Sequence, residues 1–141
     1  MHSDSSPELD RLIDGYRRFR QTGWTHNRER WTSLRDGQQP EVMVIACSDS
    51  RVDPAQIFDV SPGEAFIVRN VAALVPPFET TPGLHGVSAA LEFAVQVLKV
   101  KEIIVLGHGR CGGCRVALTG ELQGAVPGEG GFIAEWIKLL D

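Results

Sequence analysis

The stretch EVMVIACSDSR, residues 41–51, decides the fold, because a short apolar run within it ends directly at polar and reactive side chains. An unbroken apolar run of this length is typical of a strand that is buried on both faces of a parallel sheet. We expect this strand to end at Cys47. Two further strands are predicted at AFIVRNVA (65–72), which follows a Ser-Pro-Gly turn, and at EIIVLGH (102–108).

Helices are predicted between and after these strands. Apolar residues recur at helical spacing over 87–100, a second helix runs from about Cys111 to Leu118, and FIAEWIKLL (132–140) begins a last amphipathic helix. Strands that alternate with helices predict an α/β fold, in which a central, mostly parallel sheet is flanked by helices and connected by right-handed crossovers. In such sheets the chemistry gathers at the carboxyl ends of the strands.

Residues 1–36 are predicted to form an N-terminal helical arm, separate from an α/β domain at 37–141. Apolar residues at helical spacing, with acidic side chains early and arginines late, indicate an amphipathic helix in the arm: Leu9, Leu12, Ile13, Tyr16 and Phe19. Residues 21–40 are polar and weakly periodic, so we expect a loop there, with a short helix as the alternative.

The composition is that of an ordinary globular chain, with 43% hydrophobic and 23% charged residues in a length of 141. Fourteen Lys and Arg against 18 Asp and Glu give a net charge of −4, which argues against nucleic acid or an anionic membrane as a partner. The sequence has no apolar run long enough for a bilayer span, and its first residues lack a basic region followed by an apolar core. We therefore expect a soluble, cytoplasmic protein.

Four side chains with metal-binding chemistry follow the first and third predicted strands: Cys47, Asp49, His108 and Cys111. Zinc favours a tetrahedral set of thiolate, imidazole and carboxylate ligands, and the glycines around His108 and Cys111 allow close approach of backbone and ion. Three protein ligands would leave a position for water, as in catalytic sites, whereas Asp49 as a fourth ligand would close the site. Arg51 can instead hold the Asp49 carboxylate off the metal by a bidentate contact.

Three segments together carry a family resemblance: ACSDSRVDP (46–54), PGEAFIVRNVAALVPP (62–77) and GHGRCGG (107–113). They resemble the β-class carbonic anhydrases, most closely the plant-like branch, within a match that runs from about Gln38 to Lys138. The resemblance implies a zinc-dependent enzyme that hydrates CO2 reversibly to bicarbonate and a proton through a zinc-bound hydroxide.

The resemblance also assigns roles within the predicted metal site. One Zn²⁺ per chain would be held by Cys47, His108 and Cys111. Asp49 and Arg51 would form the dyad that switches the fourth ligand position, so that Asp49 is a metal ligand in one state and pairs with Arg51 in the other.

The substrate pocket is likewise expected from the resemblance. In the plant-like branch, the positions of Gln38, Phe66, Val71 and Gly112 line a small pocket, with the Gln38 amide offered to a substrate oxygen. Phe93, together with Phe66 and Val71, is suited to the apolar wall that uncharged CO2 requires. Phe93 is also a departure, because the branch has a Tyr there and this chain lacks its hydroxyl group.

Two expectations concern assembly and extent. The resemblance implies a homodimer or a larger homo-oligomer, with the N-terminal helix lying on the partner subunit. It also implies that the fold lacks the family's C-terminal elements, because the chain stops at Asp141, before the last strand and helices of the family's domain.

Three other functions are compatible with parts of the sequence. The chain could be an inactive, zinc-stabilised remnant that acts as a binding module. Cys111-Gly-Gly-Cys114 has the spacing of a thiol redox motif at a helix start, although Cys114 has no place in the family's zinc site. Gly107-x-Gly109-x-x-Gly112 matches a dinucleotide-binding fingerprint, but it follows the third predicted strand and not the first.

Overall fold

A computed structural model describes residues 6–141 of the chain. The chain divides into two compact units, the first ending at Gly37 and the second comprising Gln38–Asp141. In the described part of the chain, no helix combines the length and apolar character needed to cross a membrane.

The first unit is helical. Helix α1, Pro7–Arg18, begins at an N-cap in which the Ser6 side chain accepts a hydrogen bond from the Leu9 N–H at 3.3 Å. This confirms the predicted amphipathic helix, none of whose residues is buried. The helical path then continues through a π-helical turn and two short helices: Phe19–Gly23, α2 at Trp24–His26 and α3 at Arg28–Ser33.

The predicted loop over 21–40 is therefore wrong for its first part, which is helical to Ser33, and the short helix given as the alternative is present there. An aromatic cluster joins these turns: the Trp24 and Trp31 rings stack with centroids 5.4 Å apart, and Phe19 meets Trp31 edge-on at 6.0 Å. In the π-helical turn the Trp24 N–H donates a hydrogen bond to the carbonyl oxygen of Phe19, five positions earlier instead of four. This spacing breaks the 3.6-residue period on which the sequence analysis relied.

The second unit is built on a three-stranded, fully parallel sheet in the order β2–β1–β3. The strands are β1 at Val42–Cys47, β2 at Ala65–Asn70 and β3 at Glu102–Leu106. Strand β1 is central and almost wholly buried, whereas β3 is an edge strand whose Val105 is 55% exposed. The prediction of a mostly parallel central sheet is confirmed.

Helices flank this sheet at the predicted places, and one short helix was missed. The elements are α4 at Pro54–Ile57, α5 at Gly86–Glu92 with a π-helical continuation over Phe93–Leu98, α6 at Gly112–Thr119 and α7 at Gly131–Ile137. Helix α4 carries a recognisable start signal, because the Asp53 side chain accepts a hydrogen bond from the Ala55 N–H and Pro54 occupies the first turn.

Two apolar clusters form the core of this unit. One contains Met43, Ile45 and Ala94. The other contains Cys47, Ala73 and Cys111, and so brings the end of β1 against the start of α6. The second cluster positions the candidate site.

Helix α6 lies close to a short 3-10 turn, Val71–Ala73, that follows β2. A Cβ atom on Gly113 would lie 2.8 Å from the Ala72 Cβ and 2.9 Å from the Val71 Cγ1. Ala72 and Ala73 have φ angles of 70° and 54°, in the left-handed region that costs an L-residue about 1–2 kcal/mol. The turn is therefore a constrained segment, and only glycine at position 113 permits the contact.

We expect Gly113→Ala to lower the free energy of unfolding by about 1–3 kcal/mol, because the new methyl group forces α6 away from the turn. Urea unfolding followed by circular dichroism measures this difference. Gly112→Ala is the matched control, since a Cβ there meets no heavy atom within 4 Å. Equal destabilisation by both substitutions would contradict the close approach.

Candidate metal centre

Parallel pairing brings the ends of β1 and β3 to the same edge of the sheet. Ala46 pairs with Leu106, so Cys47 ends the central strand beside the loop that carries His108 and Cys111. Cys111 is the N-cap residue of α6. The predicted convergence of two distant segments therefore follows from the register of the sheet.

Three predicted ligands lie together. One donor atom each from Cys47, His108 and Cys111 lies within 4.8 Å of the others, and we call these residues the Cys-His-Cys trio. The two sulfur atoms are 3.9 Å apart. All three side chains are nearly closed off from solvent, with Cys47 and Cys111 being 5% and 7% exposed and the His108 side chain 8%.

The His108 ring is oriented as a metal ligand requires. Its Nδ1 lies 3.0 Å from the Gly109 carbonyl oxygen, which can only accept a hydrogen bond, so Nδ1 carries the proton. The Nε2 atom then presents a lone pair. This atom is buried and has no hydrogen-bond partner among residues 6–141. A buried nitrogen without a partner is costly, and a metal ion would remove that cost.

Zinc fits this arrangement. Two sulfur ligands at about 2.3 Å from a tetrahedral centre lie about 3.8 Å apart, close to the separation of the Cys47 and Cys111 sulfurs. Two thiolates and one imidazole also form a donor set that binds zinc in preference to hard cations, which favour oxygen ligands. The residues present therefore suit zinc, with one coordination position left for a further ligand.

Asp49 lies next to the trio but is bound to Arg51. The guanidinium donates from Nε to Oδ1 at 2.9 Å and from Nη2 to Oδ2 at 2.7 Å, and the Arg51 backbone N–H donates to Oδ1 at 2.8 Å. These bonds hold the pKa of Asp49 well below its usual range, so the carboxylate is ionised. Its Oδ2 is 4.0 Å from the His108 Nε2. Of the two states expected for Asp49, the structure has the one paired with Arg51.

Burial and hydrogen bonds shift the pKa values of Cys111, His108 and the neighbouring Cys114. Burial raises the pKa of the Cys111 thiol, but the N–H groups of Cys114 and Gly113 and the neighbouring thiols outweigh burial, and the net pKa is lowered. The Cys47 side chain raises the pKa of His108. Burial, followed by contact with Cys111, raises the pKa of Cys114. Cys111 is thus disposed toward the thiolate form that binds metals.

Arg69 was missed by the sequence analysis and braces the loop after β1. Its Nε donates to the Cys47 carbonyl oxygen at 2.8 Å, and its Nη2 donates to the Asp49 carbonyl oxygen at 2.7 Å. The available signal was a charged residue that directly follows the apolar run Ala65–Val68 of strand β2. A half-buried guanidinium at that place needs acceptors, and the nearest are the carbonyls of the adjacent strand end.

Three further contacts fix the surrounding loops. Arg51 Nη2 donates to the Arg110 carbonyl oxygen at 3.3 Å and so links the two loops that carry the trio. The Asn70 side chain accepts from the Leu74 N–H and donates to its carbonyl oxygen, which closes the turn over Val71–Ala73. The outer side of this turn is held by α7, whose Trp136 Nε1 donates to the Val71 carbonyl oxygen at 2.8 Å.

The residues predicted to line a substrate pocket lie in different places. Val71 and Gly112 flank the cluster that contains Cys47 and Cys111. Phe66 and Phe93 stack with ring centroids 5.6 Å apart, and Phe66 packs against the other core cluster. Gln38 is exposed before β1. The two phenylalanines are thus brought together, but with the core cluster that does not include the trio.

Comparison with known proteins gives a consistent result. The family model described as carbonic anhydrase matches residues 42–141. The chain is 37% identical over 139 residues to β carbonic anhydrase 3 of Arabidopsis thaliana, a match that covers 99% of this chain and 53% of that protein. The chain spans about half the length of the curated relatives it matches.

Solved structures agree with this comparison. The β-carbonic anhydrase CcaA matches with a TM-score of 0.86 at 34% identity, over 96% of this chain and 58% of that one. A tetrameric β-carbonic anhydrase of Sordaria macrospora matches with a TM-score of 0.78 at 30% identity, over 96% and 63% of the two chains.

We expect Cys47→Ser and Cys111→Ser each to abolish stoichiometric zinc binding, because each leaves only two donors of the trio. Elemental analysis after dialysis against a weak chelator measures the bound metal. Cys114→Ser is the matched control and should retain zinc, since Cys114 is not a member of the trio. Full zinc occupancy in either trio variant would contradict the assignment of ligands.

Proposed function

This chain belongs to the β-class carbonic anhydrase family, and we propose from that premise that it is a zinc-dependent enzyme that interconverts CO2 with bicarbonate and a proton. The observation that carries the proposal is the Cys-His-Cys trio, beside which Asp49 is held by Arg51. Three ligands and a carboxylate drawn aside leave one coordination position open, as in catalytic zinc sites. When bound, zinc would act as a Lewis acid and would lower the pKa of a bound water molecule to about 7.

Asp49 acts as a fixed hydrogen-bond acceptor in this proposal. The hydrogen bonds from Arg51 keep the carboxylate ionised and fix its orientation. It could therefore accept a hydrogen bond from water at the open coordination position of the metal. They also restrain Asp49 from closing the site itself. Asp49 thereby orients the attacking oxygen toward CO2 and keeps the reaction position free.

Arg69 and Arg51 keep the loops in the geometry that this role requires. Arg69 fixes the carbonyls of Cys47 and Asp49, so the backbone on both sides of Ser48 is held to strand β2. The bond from Arg51 to the Arg110 carbonyl ties Asp49 to the loop that carries His108 and Cys111. Displacement of either arginine would shift the Asp49 carboxylate relative to the metal position.

One feature beside the trio supports CO2 as the proposed substrate. Val71, on the turn beside the trio, is apolar and 41% exposed, which suits a small uncharged molecule such as CO2. Gln38, Phe66, Phe93 and Gly112 remain predicted pocket residues. The product bicarbonate is charged and leaves to solvent more readily than it stays against an apolar wall.

We further propose that the protein works as a homo-oligomer, with a dimer as the expected unit. The related Sordaria macrospora enzymes are described as tetrameric. Helix α1 supports self-association, because its apolar stripe includes Leu12 at 68% exposed and Tyr16 at 58%. The cytoplasmic location stays a prediction.

Stopped-flow CO2 hydration on the zinc-loaded chain tests the proposed activity. We expect Asp49→Asn to lower kcat/KM by about 100-fold or more while zinc stays bound, because a neutral amide is a weaker and less well oriented acceptor. Asp59→Asn makes the same chemical change at an exposed site and should leave the rate unchanged. A zinc-loaded chain that does not accelerate hydration would contradict the enzyme and favour a non-catalytic zinc-binding module.

A further inference from the structure

We propose that Cys111 and Cys114 form a reversible disulfide when the protein meets a hydroperoxide, and that this bond removes Cys111 from the Cys-His-Cys trio and releases the metal. The release of zinc rests on the metal site of the proposed function. The thiol pair itself is a modification site that carbon dioxide hydration does not use.

Cys114 is placed to react with Cys111. It lies in the first turn of α6, three residues after Cys111, which is the N-cap of that helix. Its half-buried side chain packs against the cluster that contains Cys47 and Cys111. A disulfide joins cysteines whose Cα atoms lie within about 7 Å, which residues three apart in a helical turn satisfy.

Cys114 is also the only cysteine without a metal-binding role, because the group of potential ligand donors consists of Cys47, His108 and Cys111 alone among residues 6–141. A cysteine that does not hold the metal is available to attack an oxidised ligand sulfur. A resolving cysteine of this kind next to a reactive one is the usual arrangement in redox-sensitive sites.

Cys47 is the competing partner, since its sulfur is 3.9 Å from that of Cys111. A disulfide brings two sulfurs to about 2.05 Å, so that one backbone segment or both side chains must move. Cys47 ends the central strand, and Arg69 holds its carbonyl oxygen. Cys114 follows Cys111 by only three residues at the start of α6, and Gly112 and Gly113 between them carry no side chains that would block the approach of the two sulfurs.

The reaction balances with hydrogen peroxide as the oxidant. The Cys111 thiolate attacks one peroxide oxygen, the O–O bond breaks, and a sulfenic acid and a hydroxide ion form, the latter becoming water when it takes up a proton from solvent. The Cys114 sulfur then attacks the Cys111 sulfur, the S–S bond forms, the S–O bond breaks, and a second water leaves with the Cys114 proton. The two cysteine sulfurs together lose two electrons, and the peroxide gains two.

Zinc does not change its oxidation state in this sequence. Formation of the disulfide leaves Cys47 and His108 as the remaining donors of the trio. Two protein ligands hold zinc far more weakly than three, so the ion is released. A dithiol reductant reverses the bond by thiol–disulfide exchange and restores the trio.

The test treats the zinc-loaded full chain with hydrogen peroxide in the presence of a chromogenic zinc chelator. We expect release of the bound zinc, and mass spectrometry of the unreduced digest should show Cys111 linked to Cys114 with the loss of two hydrogen atoms. Dithiothreitol followed by added zinc should restore full occupancy.

Cys114→Ser and Cys114→Ala are the decisive variants, because both keep the trio and remove only the resolving thiol. Reversible, peroxide-dependent release should be lost in both, although each binds zinc before treatment. The use of two replacements separates the missing thiol from a change in packing.

Several results would overturn the inference. They are zinc retained by the oxidised wild type, release that is equally fast and reversible in the Cys114 variants, and a disulfide between Cys47 and Cys111. These differ from failure of the proposed function. Zinc missing from the untreated chain would contradict the metal site and zinc release together, whereas zinc that is bound and never lost through Cys114 overturns the redox inference alone.

Discussion

The central position of β1 in a parallel sheet is the constraint on which the rest of the structure depends. Because β2 and β3 both pair with β1 in parallel, their carboxyl ends meet at one edge, and Cys47 ends the strand at that edge. The loop after β3 therefore delivers His108 and Cys111 to the same point. A shift of β1 by one residue would reverse the facing of its side chains and separate the sulfur atoms.

Around that point, two arginine side chains donate the hydrogen bonds that loop carbonyl and carboxylate oxygens would otherwise accept from water. Arg69 satisfies backbone carbonyls of the loop after β1, and Arg51 binds a carboxylate and a carbonyl from two different loops. Each guanidinium makes several directed bonds at once, which a lysine could not reproduce. The sheet thus positions Cys47, and the two guanidinium groups fix the loops next to the trio. The same hydrogen bonds hold Asp49 in place.

Much of this could be predicted from the sequence, because local patterns specified it. The apolar run ending at Cys47 predicted a buried strand, and the spacing His108-x-x-Cys111 at the end of the third strand predicted the shared site. What escaped prediction depends on long-range contacts. Arg69 acts on a neighbouring strand, and Trp136 bonds to a carbonyl 65 positions away. The helical turns after α1 escaped for a local reason, because the π-helical turn at Phe19–Gly23 departs from the 3.6-residue period.

The two kinds of strand that support the trio give it unequal stiffness. Cys47 belongs to a strand with hydrogen-bonded neighbours on both sides, whereas His108 and Cys111 follow β3, an edge strand with exposed apolar side chains. Opening of the backbone costs more free energy in the interior of a sheet than at its margin. The sulfur of Cys47 is therefore the most firmly anchored donor of the trio, and the loop after β3, which carries the other two donors, is the part of the site that opens at the lower cost in free energy.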